Sequence, residues 1–465
     1  MVEINSPPGE CYVYRRRDEE EAPKDLNIVE IIKWLQSQFH FASFIDTDEI
    51  YYYYNGIYLK NGDKMINKIL EEAFGELTDR KGRLLLTSGI KSIIRNKIRD
   101  TSYANRNDFD KDVHIINMQN GLYNWKTKEF KEHTPEYLSL IQIPTCYDPE
   151  ADCPNIKKSF NAAIEPDDII KIREFIAYCL YYTTDSNNSQ SGYPIQKAFI
   201  LYGPGKSGKS FIMMIILMFV GAINKSSVGL QDMGDNRFAT SDMYGKLLNL
   251  CGDIDGTFLK RVGNFKTATS GLEPLRAEEK GLKPFEFVNA AKMLFGANKL
   301  LKCDDRSTGY FRRIEPIIMK KLDHADIPHL PKKEDVTTPS EMSGLFNWVI
   351  ETLPGLIERG SFTNERPLED VISMYVSASN PIDYFIENYL EEAPNNKVPK
   401  KRFYEAFEAI CYENNVFDIP SQTKFWLDLR KYIPDLEIRS AKVDGEFQRC
   451  IIGYKLKYTW DSDKL

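Results

Sequence analysis

The chain has 465 residues, of which 42% are hydrophobic and 28% charged, a balance that excludes a disordered or fibrous protein and leaves ample apolar material for several cores. Its net charge of −7 excludes a surface uniformly coated for nucleic acid, while a local basic channel stays compatible with it, since field and net charge are separate quantities. The longest apolar run, Phe211 to Ile223, is shorter than the about 20 residues of a membrane span, residues 1–10 lack the basic and apolar parts of a secretory signal, and eight scattered cysteines form no C-x-x-C pair. The expectation is an intracellular, cytoplasmic protein with no membrane partner, no zinc site and no disulfide framework.

In chain order, residues 1–25 read as a flexible leader, with the sign-segregated run Arg15-Arg16-Arg17-Asp18-Glu19-Glu20-Glu21 as a solvated tail. Residues 26–145 read as an α+β domain. Leu26 to Phe41 has helical periodicity, Ile50 to Leu59 is a hairpin turning at Asn55-Gly56, helices fill Lys64 to Arg99, and His114 to Trp125 is a hairpin-like element containing Asn120-Gly121. Residues 146–195 form a helical collar that ends in the polar stretch Thr184 to Pro194. From 196 to 330 apolar strands alternate with helices, which predicts a parallel α/β core. Residues 331–380 are a connector and helices, with Pro331 to Ser340 polar and a helix over Glu341 to Leu353. Residues 381–465 form a small α+β module with helices near Arg402–Glu413 and Thr423–Lys431 and a hairpin turning near Asp444-Gly445.

The chemistry concentrates in the α/β core. Gly203-Pro204-Gly205-Lys206-Ser207-Gly208-Lys209-Ser210 is G-x-x-x-x-G-K-S between an apolar strand and an apolar helix. Glycines let backbone N–H groups turn inward as an anion nest, the lysine reaches the β- and γ-phosphates, and the serine hydroxyl holds Mg²⁺. The context predicts ATP or GTP binding. Lys246 to Asp255 is an apolar strand ending in Asp253 and Asp255, carboxylates of the kind that hold Mg²⁺ and activate water. Ala291 to Asn298 is a second buried strand ending in an amide suited either to orient water or to cap the next turn. Arg312 and Arg313 precede a third strand, where a guanidinium stabilises charge on a transferred phosphoryl group or makes ordinary surface ion pairs.

The order of these motifs resembles superfamily 3 helicases, closest to the primase-helicases of poxvirus type and of phage and plasmid replicons. Tyr54-Asn55-Gly56-Ile57-Tyr58 and Asn117-Met118-Gln119-Asn120-Gly121-Leu122-Tyr123 look like that family's N-terminal helicase-associated domain. Phe265-Lys266, Thr269-Ser270-Gly271, Glu278-Glu279-Lys280-Gly281 and Pro284-Phe285 look like its central segment, and the likeness covers roughly residues 26 to 460. The sequence departs from the family pattern at Ser207, at the Ile254 spacer between the two aspartates, and at Gly271-Leu272-Glu273.

What the resemblance implies is an AAA+-like P-loop ATPase core with a C-terminal winged-helix-like module. It further implies Walker A at 203–210, Walker B at Asp253 or Asp255, a sensor at Asn298, and a finger at Arg312 or Arg313 reaching the neighbouring subunit's ATP. Lys266, Lys280 and Lys283 would meet single-stranded DNA in the pore of a homo-hexamer translocating 3′→5′, with ATP and Mg²⁺ as cofactors. Lys400, Lys401, Arg402, Lys424, Arg430 and Lys431 fall on the last module, as DNA contacts or within a protein-docking domain. Asp46-Thr47-Asp48 has the D-x-D spacing of polymerase metal sites but no histidine motif beside it, so the chain looks like the helicase part of a primase-helicase, either standing alone or working with a separate primase or polymerase. The competing readings are a P-loop small-molecule or polynucleotide kinase and a nucleotide-regulated origin-binding initiator without unwinding activity.

Overall fold

The computed structural model describes residues 6–14, 23–182, 195–236, 238–252, 261–278, 285–300, 308–322, 325 and 327–457. The chain divides into two compact units, Met1–Tyr147 with Tyr181–Asp185, and Asp148–Leu180 with Ser186–Leu465.

In the first unit a short antiparallel ribbon, β1 (Tyr12–Val13) on β2 (Asp25–Leu26), precedes α1 (Ile28–Gln38). Strands β3 (Phe41–Phe44), β4 (Ile50–Tyr54), β5 (Ile57–Leu59) and, after helices α2 (Gly62–Phe74) and α3 (Ser88–Thr101), β6 (Tyr103–Ala104) form a sheet of order β5-β4-β3-β6. A second sheet joins β7 (Ile115–Met118), β8 (Gly121–Asn124) and β9 (Phe130–Lys131). The helices exist because their apolar residues recur every three to four positions: Ile31, Trp34 and Leu35 on α1, Ile66, Ile69, Leu70 and Phe74 on α2, and Ile94 and Ile98 on α3 are buried in one cluster. The Thr87 hydroxyl accepts from Ile90 N and caps α3.

One expectation is corrected here. Part of the leader is folded: Cys11 is fully buried against this cluster and Gly9–Val13 forms a turn and a strand, while Arg15 to Glu21 lie outside the described residues. The second hairpin turns at Gln119-Asn120, one residue earlier than an Asn-Gly turn would. Gly121 sits in β8 because a Cβ there would lie 2.4 Å from Lys131 O on β9.

The second unit opens with α4 (Pro154–Ala163) and α5 (Pro166–Leu180). Its core is a five-stranded, wholly parallel sheet of order β11-β12-β15-β10-β16. In chain order it is built from β10 (Ala198–Tyr202), α6 (Lys209–Val220), β11 (Lys225–Ser226), α7 (Leu230–Asp235), β12 (Leu248–Cys251) and α8 (Gly263–Ser270). An antiparallel hairpin of β13 (Pro274–Ala277) and β14 (Phe285–Val288) follows, then β15 (Lys292–Ala297), α9 (Thr308–Phe311) and β16 (Ile314–Ile318). Strands β10 and β16 are buried along their whole length, as near-continuous apolar runs in a two-faced parallel sheet must be. The polar connector contains a short helix, α10 (Lys333–Val336), before α11 (Pro339–Ile350), which Thr338 caps through Glu341 N; α12 (Leu353–Arg359) and α13 (Leu368–Ser379) follow.

The last segment runs α14 (Pro381–Tyr389), β17 (Leu390–Pro399), α15 (Lys400–Glu413), α16 (Gln422–Tyr432), β18 (Ile438–Val443) and β19 (Glu446–Leu456), with sheet order β17-β19-β18. Phe385, Phe403, Phe407 and Phe425 fill the space between the three helices and Ile451 of the sheet.

Candidate functional site

All five strands of the central sheet point the same way, so their C-terminal ends share one edge, where open α/β sheets bind ligands. Gly203 to Gly208 leave β10 at this edge. Lys206 (φ 63) and Gly208 (φ 84) adopt left-handed conformations that wind the loop tightly before α6 starts at Lys209. Lys209 Nζ donates to Gly203 O at 2.8 Å, Pro204 O at 2.7 Å and Ser207 Oγ at 3.1 Å, which fixes the ammonium over the loop. No acid occupies the first turn of α6, so no side-chain carboxylate competes for its N–H groups and dipole. Gly205 is exposed and a Cβ there would touch nothing, and the Ser210 hydroxyl lies exposed on the first turn. This cradle fits the phosphates of a nucleotide, with Ser210 as a ready oxygen ligand for Mg²⁺.

Neighbouring strands bring two more elements to this edge. Gly203 N donates to Ala297 O at 3.3 Å, so Asn298, exposed just past β15, stands beside the loop. Strand β12 ends one strand further out, and a Cβ on Gly296 would lie 2.6 Å from Gly252 O. Asp253 and Asp255, which follow Gly252 in the sequence, and Lys280 and Lys283, between β13 and β14 in the sequence, lie outside the described residues. Lys266 lies on α8, the helix that leads into that hairpin.

The arginines stand elsewhere. Ala198 N donates to Arg313 O, which puts both arginines at the N-terminal edge. From Ala198 to Gly203 at the start of the loop is about 16 Å of strand, at 3.3 Å per residue along β10. Arg313 is 7% exposed and internally held, donating to Gly309 O at 2.6 Å and Gln196 Oε1 at 3.1 Å; burial and the adjacent Arg312 charge lower its hold on its proton. Arg312 is exposed. Within one chain, therefore, the arginine pair and the loop are not brought together.

Sequence reasoning missed the ionic cluster that anchors β16 directly behind these arginines. Glu315, fully buried, accepts from Lys171 Nζ at 2.8 Å and pairs with Lys197 at 3.4 Å. Asp168 pairs with Lys171 at 2.7 Å and Arg366 at 2.7 Å and accepts from Ile318 N; Lys197 also pairs with Glu365 at 3.2 Å. The one signal in the sequence was a glutamate inside the apolar run Ile314 to Ile318.

At the loop edge the last module docks. Tyr202, the residue before Gly203, packs its ring at a 60° tilt against Phe417 with centroids 4.9 Å apart, and Lys299, the residue after Asn298, pairs with Asp418 at 2.7 Å. A cleft of about 500 Å³ opens there, lined among others by Tyr202, Lys299, Asn380, Asp418 and Lys424.

In the first unit Asn117 ties the two hairpins together, donating to Gly56 O at 2.7 Å and Ser139 Oγ at 3.0 Å while its carbonyl faces His133 Nε2 at 3.0 Å. The D-x-D carboxylates are committed to different partners, Asp46 to Arg106 Nε at 2.6 Å and Asp48 to Tyr103 Oη at 2.8 Å. Among the described residues no group of three or more His, Cys, Asp or Glu converges on a metal position, and no helix is long and apolar enough to cross a membrane.

Three family models match the chain: "D5 N terminal like" over residues 30–164, a family of unknown function (DUF5906) over 201–313, and "Poxvirus D5 protein-like" over 377–462. The first and third support kinship with the poxvirus D5 type over those segments. No curated protein matches significantly. Two solved apo structures of the NrS-1 C-terminal region align at 13% identity (94% of this chain, 100% of that one, TM-score 0.41) and 12% identity (91% and 98%, TM-score 0.42), a likeness on which nothing further rests.

Proposed function

We propose that this chain is an ATP-driven, superfamily 3-type DNA helicase that acts as a ring, by resemblance a homo-hexamer, in replicating viral, phage or plasmid DNA. The observation that carries the proposal is the split of the chemistry across the sheet. The 203–208 loop sits at one edge and the exposed Arg312 at the other, which supports a site completed by the arginine of a second subunit. Lys209 would hold the β- and γ-phosphates and Ser210 the Mg²⁺, with Asp253 or Asp255 activating water and Asn298 orienting it. Of the two arginines, the exposed Arg312 suits a finger acting in trans, and the internally bonded Arg313 suits the support beneath it.

Lys266, Lys280 and Lys283 would grip single-stranded DNA through its phosphates. A sheet ordered β17-β19-β18 against three helices supports the winged-helix-like reading of the last module. The two D5-type matches support a place in viral or phage replication, and the separate ties on Asp46 and Asp48 favour a primase supplied by another protein. A small-molecule kinase would need its charge-stabilising arginine at the loop of the same chain, where this pair does not lie.

The test is ATPase rate with and without single-stranded DNA, measured alongside particle size. A multi-subunit particle whose hydrolysis rises with DNA is expected. A monomer hydrolysing ATP at a rate indifferent to DNA would overturn the proposal.

A further inference from the structure

The β18–β19 hairpin carries a feature that the ATPase does not use. Phe447 is 79% exposed, the most exposed of the large apolar side chains among the described residues. It lies beside a tight turn, with both Asp444 (φ 51) and Gly445 (φ 88) left-handed, and directly opposite Lys442 in the antiparallel register. Opposed residues share a face, as do residues two apart along a strand. Lys442, Phe447, Ser440 and Arg449 therefore lie on one face, the one that further along carries Ile438 and Ile451. Those two isoleucines pack into the core beneath α14, α15 and α16. The hairpin thus overhangs the helical side of the module and presents there a bare aromatic ring between two cations. Glu446, opposite Val443, belongs to the other face. Among the described residues Lys442 and Arg449 have no acidic partner, and Arg430, exposed on α16 of the same module, adds a third unpaired cation.

We propose that Phe447, flanked by Lys442 and Arg449, is a base-stacking site for an unpaired nucleotide of a DNA strand, separate from the lysines of the motor. An exposed ring offers a face on which a base can stack, and two flanking cations select a partner with regularly placed negative charge. A nucleic acid offers both, a π-face on each base and a phosphate on each side of it. In a duplex interior those faces are already stacked, so the occupant is a single strand or the open end of a fork. The proposal rests on the reading of the chain as a DNA-acting motor, and its test separates the two.

Using the full-length chain, anisotropy of labelled oligothymidine and of a blunt duplex of equal length is measured for wild type, Phe447→Ala, Phe447→Tyr and Lys442→Ala/Arg449→Ala. Phe447→Ala should weaken single-strand binding roughly 5- to 100-fold, the cost of one lost stack, with blunt duplex affected far less. Phe447→Tyr should stay within about threefold, since the ring remains. The double variant should reduce the slope of log K against log salt by about 1.4, at about 0.7 per lost phosphate contact, while Phe447→Ala leaves that slope unchanged. Single-strand binding by Phe447→Ala equal to wild type overturns the site, as does an equal loss on both substrates, or a change in particle size in place of binding, which would mark a contact between copies of the chain. A wild-type protein that binds no single strand at all overturns instead the motor reading on which the site rests.

Discussion

Glu315→Gln tests whether the ionic cluster is what fixes β16. Glu315 is fully buried and Lys171 is 1% exposed, so water cannot compensate either charge. Around them three acids (Asp168, Glu315, Glu365) meet three bases (Lys171, Lys197, Arg366), and the formal charge sums to zero. Removing one acid leaves a net buried positive charge. Breaking a buried pair from one side costs about 3–5 kcal/mol. The amide oxygen of Gln keeps one acceptor for Lys171 while its NH₂ meets another donor, so the lower end applies, about 3 kcal/mol, or roughly 150-fold in the unfolding equilibrium. The assay is urea unfolding followed by tryptophan fluorescence, with Lys401→Ala as control. Lys401 pairs with Glu405 at 3.6 Å but is 85% exposed, so its loss should be nearly silent. Adding Lys171→Met to Glu315→Gln removes the orphaned ammonium, while Asp168 keeps Arg366 and Lys197 keeps Glu365. The double variant should therefore be at least about 1 kcal/mol more stable than the sum of the singles. A single variant no less stable than the control, or strictly additive effects, would refute the claim that the cluster is coupled.

Lys209→Ala should fold normally and lose ATP hydrolysis; unchanged hydrolysis in the purified variant would remove the loop from the active site. Arg312→Ala should bind ATP yet hydrolyse it roughly 10³-fold more slowly, and mixing it with Lys209→Ala subunits should restore part of the rate, because an intact site forms where complementary faces meet. No recovery in a verified mixed ring would count against action in trans. Asp110, which accepts from Ser139 Oγ and Leu140 N, has its carboxyl pushed up to about 6 by burial, with those hydrogen bonds only partly opposing the shift. The folded state then holds the proton more tightly than the unfolded chain, so stability of the N-terminal unit should fall as pH rises from about 4 to about 6, by on the order of 3 kcal/mol. Asp110→Asn should flatten that dependence in chemical unfolding at several pH values, and an unaltered profile would show that Asp110 is not its source.

The legible parts of the sequence were those whose meaning is local. G-x-x-x-x-G-K-S after an apolar run identifies a strand, a loop and a helix at once, and Asn55-Gly56 and Asp444-Gly445 announce their turns because both residues of each pair must reach positive φ. Asn120-Gly121 shows the limit of that rule. The same dipeptide arises where a glycine is needed for the approach of β9, and neither residue adopts positive φ. Strand β17 was hidden by Pro394 and Pro399 and by a register shift against β19 between Glu392 and Lys397, since proline argues against a strand unless it lies at an edge or a bulge. The ionic cluster was illegible for a different reason. Asp168, Glu315 and Arg366 are far apart in the chain, and a charged residue does not reveal its partner. The placement of the arginines needed only topology: two residues preceding a strand parallel to β10 must stand at the edge opposite the loop.

The seating of the last module decides how a test of the proposed DNA recognition can be separated from a test of the proposed motor. Tyr202 is 1% exposed and its ring packs against that of Phe417, whose backbone also bonds its hydroxyl, whereas Lys299 and Asp418 are 56% and 58% exposed. An exposed pair contributes about 0–1 kcal/mol, while a buried aromatic contact adds about 0.5–1.5 kcal/mol beyond the area it covers. The aromatic contact is therefore the main tie, and it is made by the residue immediately before Gly203. Truncation from Pro381 would strip Phe417 from Tyr202 and open the base of the phosphate loop to water, so a truncated protein that lost ATPase activity would say nothing about recognition. Phe447 lies on the hairpin, outside the Tyr202–Phe417 contact, and is 79% exposed. Substitution there alters what the module can touch without altering how it is seated, which makes it the cleaner cut between the two functions.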